Sequence, residues 1–376
     1  MNDFIKSFVA YGRTRSDCPT EFWYHGAMAA LAAAMGNKIH TSGWSRPIYP
    51  NLWVALIAPS GYGKSAPLDL AEAVLRKANL AHHFLPNSLS REAFILALSN
   101  EPNEMMIRHE LSNVIAETNK SYNEGMMQDL TEWYDVPVSV TRKLVKDEYT
   151  INRPCITVLG ASTPTWLGAA LSDKALEGGF LSRFMFCPSF KAGAFVADPG
   201  PPNEAIEEGL GSHLRWVSSF RGEYDMTPVR DAFTAWERPL RLSRDSWTPE
   251  HAGIYNRMPA LAKKVTMIVG MARHPRQMEA TNDDLDTAIR YVEHNTERAV
   301  SYLGDSVVAT EYADAKRLKA IVDRAGSAIE HRALLAAFKG GLRGFRAAVD
   351  LAEQAGWLVV NRDDDVKLTQ YLTKED

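Results

Sequence analysis

Cysteine is scarce in this 376-residue chain. Cys18, Cys155 and Cys187 are odd in number, far apart and form no C-x-x-C pair, so neither a disulfide framework nor a zinc site is indicated. Long apolar runs are missing too. Residues 27–35 form an apolar stretch far short of the ~20 residues that span a bilayer. The start, MNDFIKSFVAYGRTRSD, does not read as a secretory leader. The expectation is a cytoplasmic protein with no membrane partner. Basic charge is not in excess either. The formal net charge is −4, so any contact with nucleic acid must come from a local feature and not from a global field. Nothing in the composition suggests disorder, and the length leaves room for one large domain with smaller ones attached.

What is present is concentrated in residues 52–65, LWVALIAPSGYGKS. The first seven run mostly apolar without polar alternation, as a strand buried on both faces does. They lead into Ala58-Pro59-Ser60-Gly61-Tyr62-Gly63-Lys64-Ser65, and a helical apolar pattern follows at Leu68, Leu70, Ala71, Val74 and Leu75. A buried strand, a tight glycine-containing turn ending in Lys-Ser, and a helix are the setting of a phosphate-binding loop. On this reading Ser60, Gly61, Tyr62, Gly63, Lys64 and Ser65 cradle the phosphates of ATP at the positive end of the helix. Lys64 reaches the β- and γ-phosphates, and the Ser65 hydroxyl ligates Mg²⁺. Ala58 stands at the first glycine of G-x-x-x-x-G-K-[ST], a position that shapes the turn more than it touches phosphate. The alternative is an ordinary strand-turn-helix with a surface lysine.

Residues 104–111, EMMIRHEL, read as a short apolar strand running into His109 and Glu110. A P-loop ATPase places its second nucleotide element there, with an Asp in the Mg²⁺ shell and a Glu that polarises the attacking water. Glu110 is the candidate general base. His109 can hold a metal-bound water by a hydrogen bond but supplies no negative charge. An edge strand ending at a surface His-Glu is the alternative. Residues 138–151 read as a β-hairpin with Arg142, Lys143 and Lys146 at its tip, either touching nucleic-acid phosphates or simply solvated. Residues 155–164, CITVLGASTP, form a second buried-type strand whose terminal hydroxyls, Ser162 and Thr163, are candidates to sense a γ-phosphate. The run Gly178-Gly179-Phe180-Leu181-Ser182-Arg183-Phe184 sets an arginine in an apolar frame. That suits a finger offered to a neighbouring subunit or an intrasubunit salt bridge.

The expected organisation is an α/β protein in four parts: a helical lead-in at 1–50, a P-loop ATPase core at 51–200, a helical lid at 201–310 and a winged helix at 311–376. Three prolines and a glycine within residues 197–203 mark the end of the core. In the lid, Arg257, Lys263 and Lys264 could reach phosphates or be solvated. The last unit reads as three helices and a two-stranded wing whose tip, Asp363-Asp364-Asp365, would repel a DNA backbone.

Together PNLWVALIAPSGYGKS, IRHELSNVI, RPCITVLGASTPTWL and EGGFLSRFMF resemble a family of phage- and prophage-encoded P-loop ATPases. That family commonly forms the helicase-like part of primase–helicase proteins and is related to AAA+ and superfamily 3 helicases. The resemblance covers residues 22–303. It implies catalytic roles for Lys64, Glu110, Ser162 as sensor and Arg183 as finger, with His109 where the family has Asp. It also implies a DNA-contacting hairpin at 138–151. The resulting expectation is a stand-alone, ring-forming motor, a hexamer by analogy, that hydrolyses ATP with Mg²⁺ while moving on single-stranded DNA during replication. A loader or remodeller of a replication protein is the second reading. A nucleotide-dependent scaffold that does not hydrolyse is the third.

Overall fold

The computed structural model describes residues 3–43, 45–86, 90–118, 123, 125–143, 147–170, 179–247, 249–338, 342–354, 357–363 and 368–373. Lys146, Gly178 and the Asp364-Asp365 part of the acidic tip lie outside them. The chain divides into two compact units, Met1–Val300 and Ser301–Asp376. The proline-rich stretch 197–203 falls inside the first.

The first unit opens with α1 (Phe4–Gly12) and α2 (Thr20–Met35). Small alanines over the second half of α2 let other elements approach it closely from every side, and it is buried on almost all faces. A helix buried all round belongs to the core. Next come the short strand β1 (Ile39–His40) and then β2 (Trp53–Ile57), every residue of which is buried. The loop 58–64 enters α3 (Ser65–Lys77), which packs against α2. Then follow α4 (Arg91–Asn100), β3 (Asn103–Arg108), α5 (Leu111–Thr118) and α6 (Met126–Trp133). The antiparallel pair β4 (Ser139–Lys143) and β5 (Glu148–Asn152) leads into β6 (Cys155–Ser162), also wholly buried. Beyond it lie α7 (Pro164–Ala170), β7 (Phe184–Pro188), α8 (Glu204–Val217) and β8 (Gly222–Glu223), which pairs parallel with β1. Helices α9 (Arg230–Leu242), α10 (Pro249–Tyr255) and α11 (Met258–Arg273) precede the long α12 (Asn282–Ala325).

The main sheet has the order β3-β6-β2-β7, parallel throughout. An all-parallel sheet is covered on both faces, which is why its strands read as unbroken apolar runs. An isolated parallel bridge, Phe84 to Met105, lies on β3 at the outer side of this sheet. The register sets Ile57 beside Ser162 and Arg108 beside Gly160. The loop after β2, the Glu110 turn after β3 and the end of β6 therefore share one carboxyl edge. In open α/β sheets ligands bind outside that edge.

In the second unit, Ala315, Leu318 and Val322 of α12 share a core with α13 (His331–Phe338), α14 (Leu342–Gln354) and a small antiparallel sheet. That sheet has the order β10 (Leu358–Asp363), β11 (Leu368–Thr373), β9 (Ile329–Glu330). His331 Nδ1 and the Tyr371 hydroxyl share a hydrogen bond of 2.7 Å that ties the start of α13 to β11. Among the described residues, no helix is long and apolar enough to cross a membrane.

Candidate active site

The loop 58–64 is shaped by two left-handed glycines, Gly61 at φ +87° and Gly63 at φ +62°. Gly63 is required twice over, because a Cβ there would also lie 2.6 Å from Ser16 Oγ. Ala58 is fully buried and has no positive φ, so the methyl at the pattern's first glycine position is accommodated without strain. Ser65 begins α3, and no side chain caps that helix start. Its first N–H groups are left for the loop, water or a ligand. Lys64 folds back over its own loop, donating to the carbonyls of Ala58 (2.8 Å) and Pro59 (2.7 Å). Desolvation pulls its pKa below the ordinary lysine range, while the negative charge of Glu110 acts in the opposite direction.

Glu110 gathers hydroxyls. Its Oε1 accepts from Ser162 Oγ at 2.5 Å, Ser112 Oγ at 2.6 Å and Ser112 N at 3.3 Å. Ser162 is buried at the end of β6, where the backbone ladder aims its side chain. Of the two hydroxyl candidates, Ser162 therefore meets Glu110. Thr163 Oγ1 instead accepts from the Trp166 N–H at 3.3 Å, capping α7. His109 is half exposed, and its Nε2 lies 3.6 Å from Asp69 Oδ1. Asp69 is one turn beyond Ser65 on α3, so the two share a helix face. Asp69 was not among the residues singled out from sequence. The signal that could have found it is its i,i+4 spacing from Ser65 together with the missing acid at His109.

The expected cations differ in their surroundings. Arg142 donates to Asp129 Oδ1 through Nε (3.1 Å) and Nη2 (3.0 Å), and to Glu132 Oε2 at 2.5 Å. Buried Asp129 also receives Arg91 Nε at 2.7 Å. Arg142 thus pins the β4–β5 pair to α6 instead of standing free at the tip. Lys143 is exposed and sits across from Glu148. Arg183 is 9% exposed, and donates to the Gly179 carbonyl at 2.7 Å and to Asp135 Oδ2 at 3.4 Å. It shares the Tyr134 ring with Arg257 and Lys264, and Arg46 also pairs with Asp135 at 3.0 Å. Lys264 is buried, donates to Asn51 O and Oδ1, and is pushed down to about 7 by burial. Lys263 donates to the Ser42 carbonyl at 2.9 Å. Neither lysine is placed at the loop.

The carboxyl edge therefore brings Lys64, Ser65, Glu110, Ser162, His109 and Asp69 together, and leaves Arg142, Lys143 and Arg183 elsewhere. Compared with known proteins, the chain matches no protein-family model and no curated protein.

Proposed function

We propose that this edge binds a nucleoside triphosphate with Mg²⁺ and hydrolyses it, and that the first unit is a P-loop ATPase core. The observation that carries this reading is the convergence of the Lys64-Ser65 loop on the Glu110–Ser162 pair across adjacent parallel strands. The strand order supports it, since the loop strand β2 lies between β7 and the hydroxyl-bearing β6, with the Glu110 strand β3 beyond. The donors fit a hard cation that prefers oxygen: the Ser65 hydroxyl and the Asp69 carboxylate. The imidazole of His109 is a poor direct ligand for such an ion and serves as a hydrogen-bond partner. When bound, Mg²⁺ supplies charge neutralisation to the phosphates.

The chain's own groups do the rest. The uncapped start of α3 and the loop N–H groups hold phosphate oxygens, and Lys64 exchanges two loop carbonyls for them. Glu110, oriented by Ser112 and Ser162, takes the proton of the attacking water. Asp69 brings to this site the negative charge that His109 lacks. The wider reading is a ring-forming motor of a phage or mobile element, related to AAA+ and superfamily 3 helicases, that acts on single-stranded DNA in a bacterial cytoplasm. The second unit, on this reading, is a winged helix. In such a ring Arg183 must leave Asp135 to act as a finger.

One observation favours the loader or remodeller instead: Arg142 is held by Asp129 and Glu132 and gives a pore hairpin little free charge. The deciding experiment measures ATP turnover with and without single-stranded DNA, alongside the mass in solution with a slowly hydrolysed analogue. DNA-stimulated turnover in a ring-sized assembly supports the motor. Unstimulated turnover supports the loader, and nucleotide binding without turnover leaves only a scaffold.

A further inference from the structure

On the opposite edge of the sheet lies a cleft of about 600 Å³ whose lining includes Asn37, Lys38, Val138, Asn152, Arg153 and Arg221. Arg153 stands two residues before β6, whereas Ser162 ends that strand, so the two edges are roughly 23 Å apart at 3.3 Å per residue. The cleft is a separate place from the site above.

Its chemistry is one-sided. Among the described residues three cations line it and no carboxylate does. Lys38 Nζ donates to the Ser218 carbonyl at 3.5 Å, and Arg221 Nη1 to the Ser219 carbonyl at 2.9 Å. Of the nearby acids, Glu223 accepts from the Ser42 hydroxyl and Glu101 from the Asn103 N–H. Burial and the positive charge of Arg221 both depress the Lys38 pKa, with Glu101 opposing. Like charges held together cost folding energy, which Glu101 offsets in part at Lys38 and an anion in the cleft offsets further. The backbone carries a cost as well. Arg153 has φ +52°, a left-handed conformation that side chains other than glycine rarely adopt. It is held by its N–H on the Val138 carbonyl (3.1 Å) and by the Asn37 amide on its own carbonyl (3.1 Å). Beside these cations Val138 is 75% exposed, an apolar surface at the foot of the β4–β5 pair.

We propose that this cleft binds the phosphate groups of a single nucleic-acid strand, with Lys38, Arg153 and Arg221 on the backbone and Val138 against a sugar or base. The cations come from three separate chain segments around an open cleft. Lys143 lies at the far end of the same two-stranded pair, about 13 Å from the Asn152 end at the usual rise per residue. That is a track for several phosphates and more than a single ion fills. The negative net charge makes such a local feature necessary for any strand to bind. This inference does not rest on the nucleotide reading of the opposite edge.

The test is fluorescence anisotropy of a labelled 20-mer deoxyoligonucleotide without added nucleotide, using Arg153→Asn/Arg221→Ala, in which Asn tolerates the left-handed backbone. The expected result is at least tenfold weaker binding near 0.1 M salt. The slope of log K against log salt should fall by about 1.4, for two lost contacts at ~0.7 each on a single strand. Unchanged affinity and slope overturn the proposal. So does complete displacement of the oligonucleotide by millimolar orthophosphate, which would make the ligand a free phosphate. Should the double variant melt early, Arg221→Ala alone decides, because that exposed side chain bonds to its near neighbour Ser219. About threefold weaker binding with unchanged melting supports the cleft, and unchanged affinity overturns it. Lys64→Ala separates the two sites: it abolishes nucleotide binding if the first reading holds and leaves oligonucleotide binding intact.

Discussion

Lys64 and Arg142 are both cations beside a strand, Lys64 at the end of the loop after β2 and Arg142 within β4, yet their surroundings are opposite. Lys64 leans on two neutral carbonyls of its own loop, with Glu110 near enough to act on its charge but not paired to it. Arg142 is held by Asp129 and Glu132, and Asp129 is itself shared with Arg91. A cation resting on carbonyls keeps its positive field for an incoming anion. One resting on carboxylates has already spent it. In a chain of net charge −4, partner chemistry decides which basic residues are available.

The sharpest way to break that comparison is at the carboxyl edge. Glu110→Gln should lower turnover by about 10²–10⁴-fold, the usual worth of a positioned general base, while binding of an ATP analogue is retained. Turnover is read by phosphate release and binding by calorimetry. The next effect is on stability. Asp129→Asn leaves Arg91 without its carboxylate and Arg142 with Glu132 alone, and should cost about 2–3 kcal/mol in urea unfolding, at the low end for a broken buried pair because both arginines are partly exposed. Asp69→Asn comes third. It should raise by several-fold the Mg²⁺ concentration needed for half-maximal nucleotide binding, with affinity in EDTA unchanged.

Buried Lys264 provides a pH dependence. Its amine is pushed down to about 7, whereas an unfolded lysine holds its proton to about 10. Between those values the unfolded chain binds one proton more, so this group makes stability rise as pH increases across that window. Lys264→Met should remove that rise in denaturation midpoints measured from pH 7 to 10. The smallest effect belongs to Lys143→Ala, an exposed cation opposite Glu148. It should weaken oligonucleotide binding two- to threefold and reduce the salt slope by about 0.7.

The carboxyl edge was largely legible in the sequence, for a physical reason. Parallel strands buried on both faces leave continuous apolar runs, and each run here ends where a chemical residue begins: Lys64 and Ser65 after β2, His109 and Glu110 after β3, Ser162 on β6. Local order sufficed. What local order does not encode is partnership across elements. Nothing near Arg142 announces Asp129, thirteen residues earlier on α6. Nothing near Arg183 announces Asp135 or the Tyr134 ring it shares with Lys264. Asp69 becomes meaningful only when β3 delivers His109 beside α3. The alanine-rich α2 was legible as a close-packed helix, and it is buried on nearly every face. The basic cleft needed residues 38, 153 and 221 to meet, and no window of sequence contains them.

Strand β6 has a further consequence. It pairs with β3 from Cys155 to Gly160 and with β2 from Val158 to Ser162, so its middle is hydrogen-bonded on both sides. Such a strand can neither stretch nor slide without breaking two ladders at once. It acts as a fixed gauge between the edge that carries Glu110 and the edge that carries Arg153. Probes attached near its two ends should report the same separation whatever either edge holds. If the motor proposal holds, a stroke on a strand in the basic cleft must come from elements other than β6.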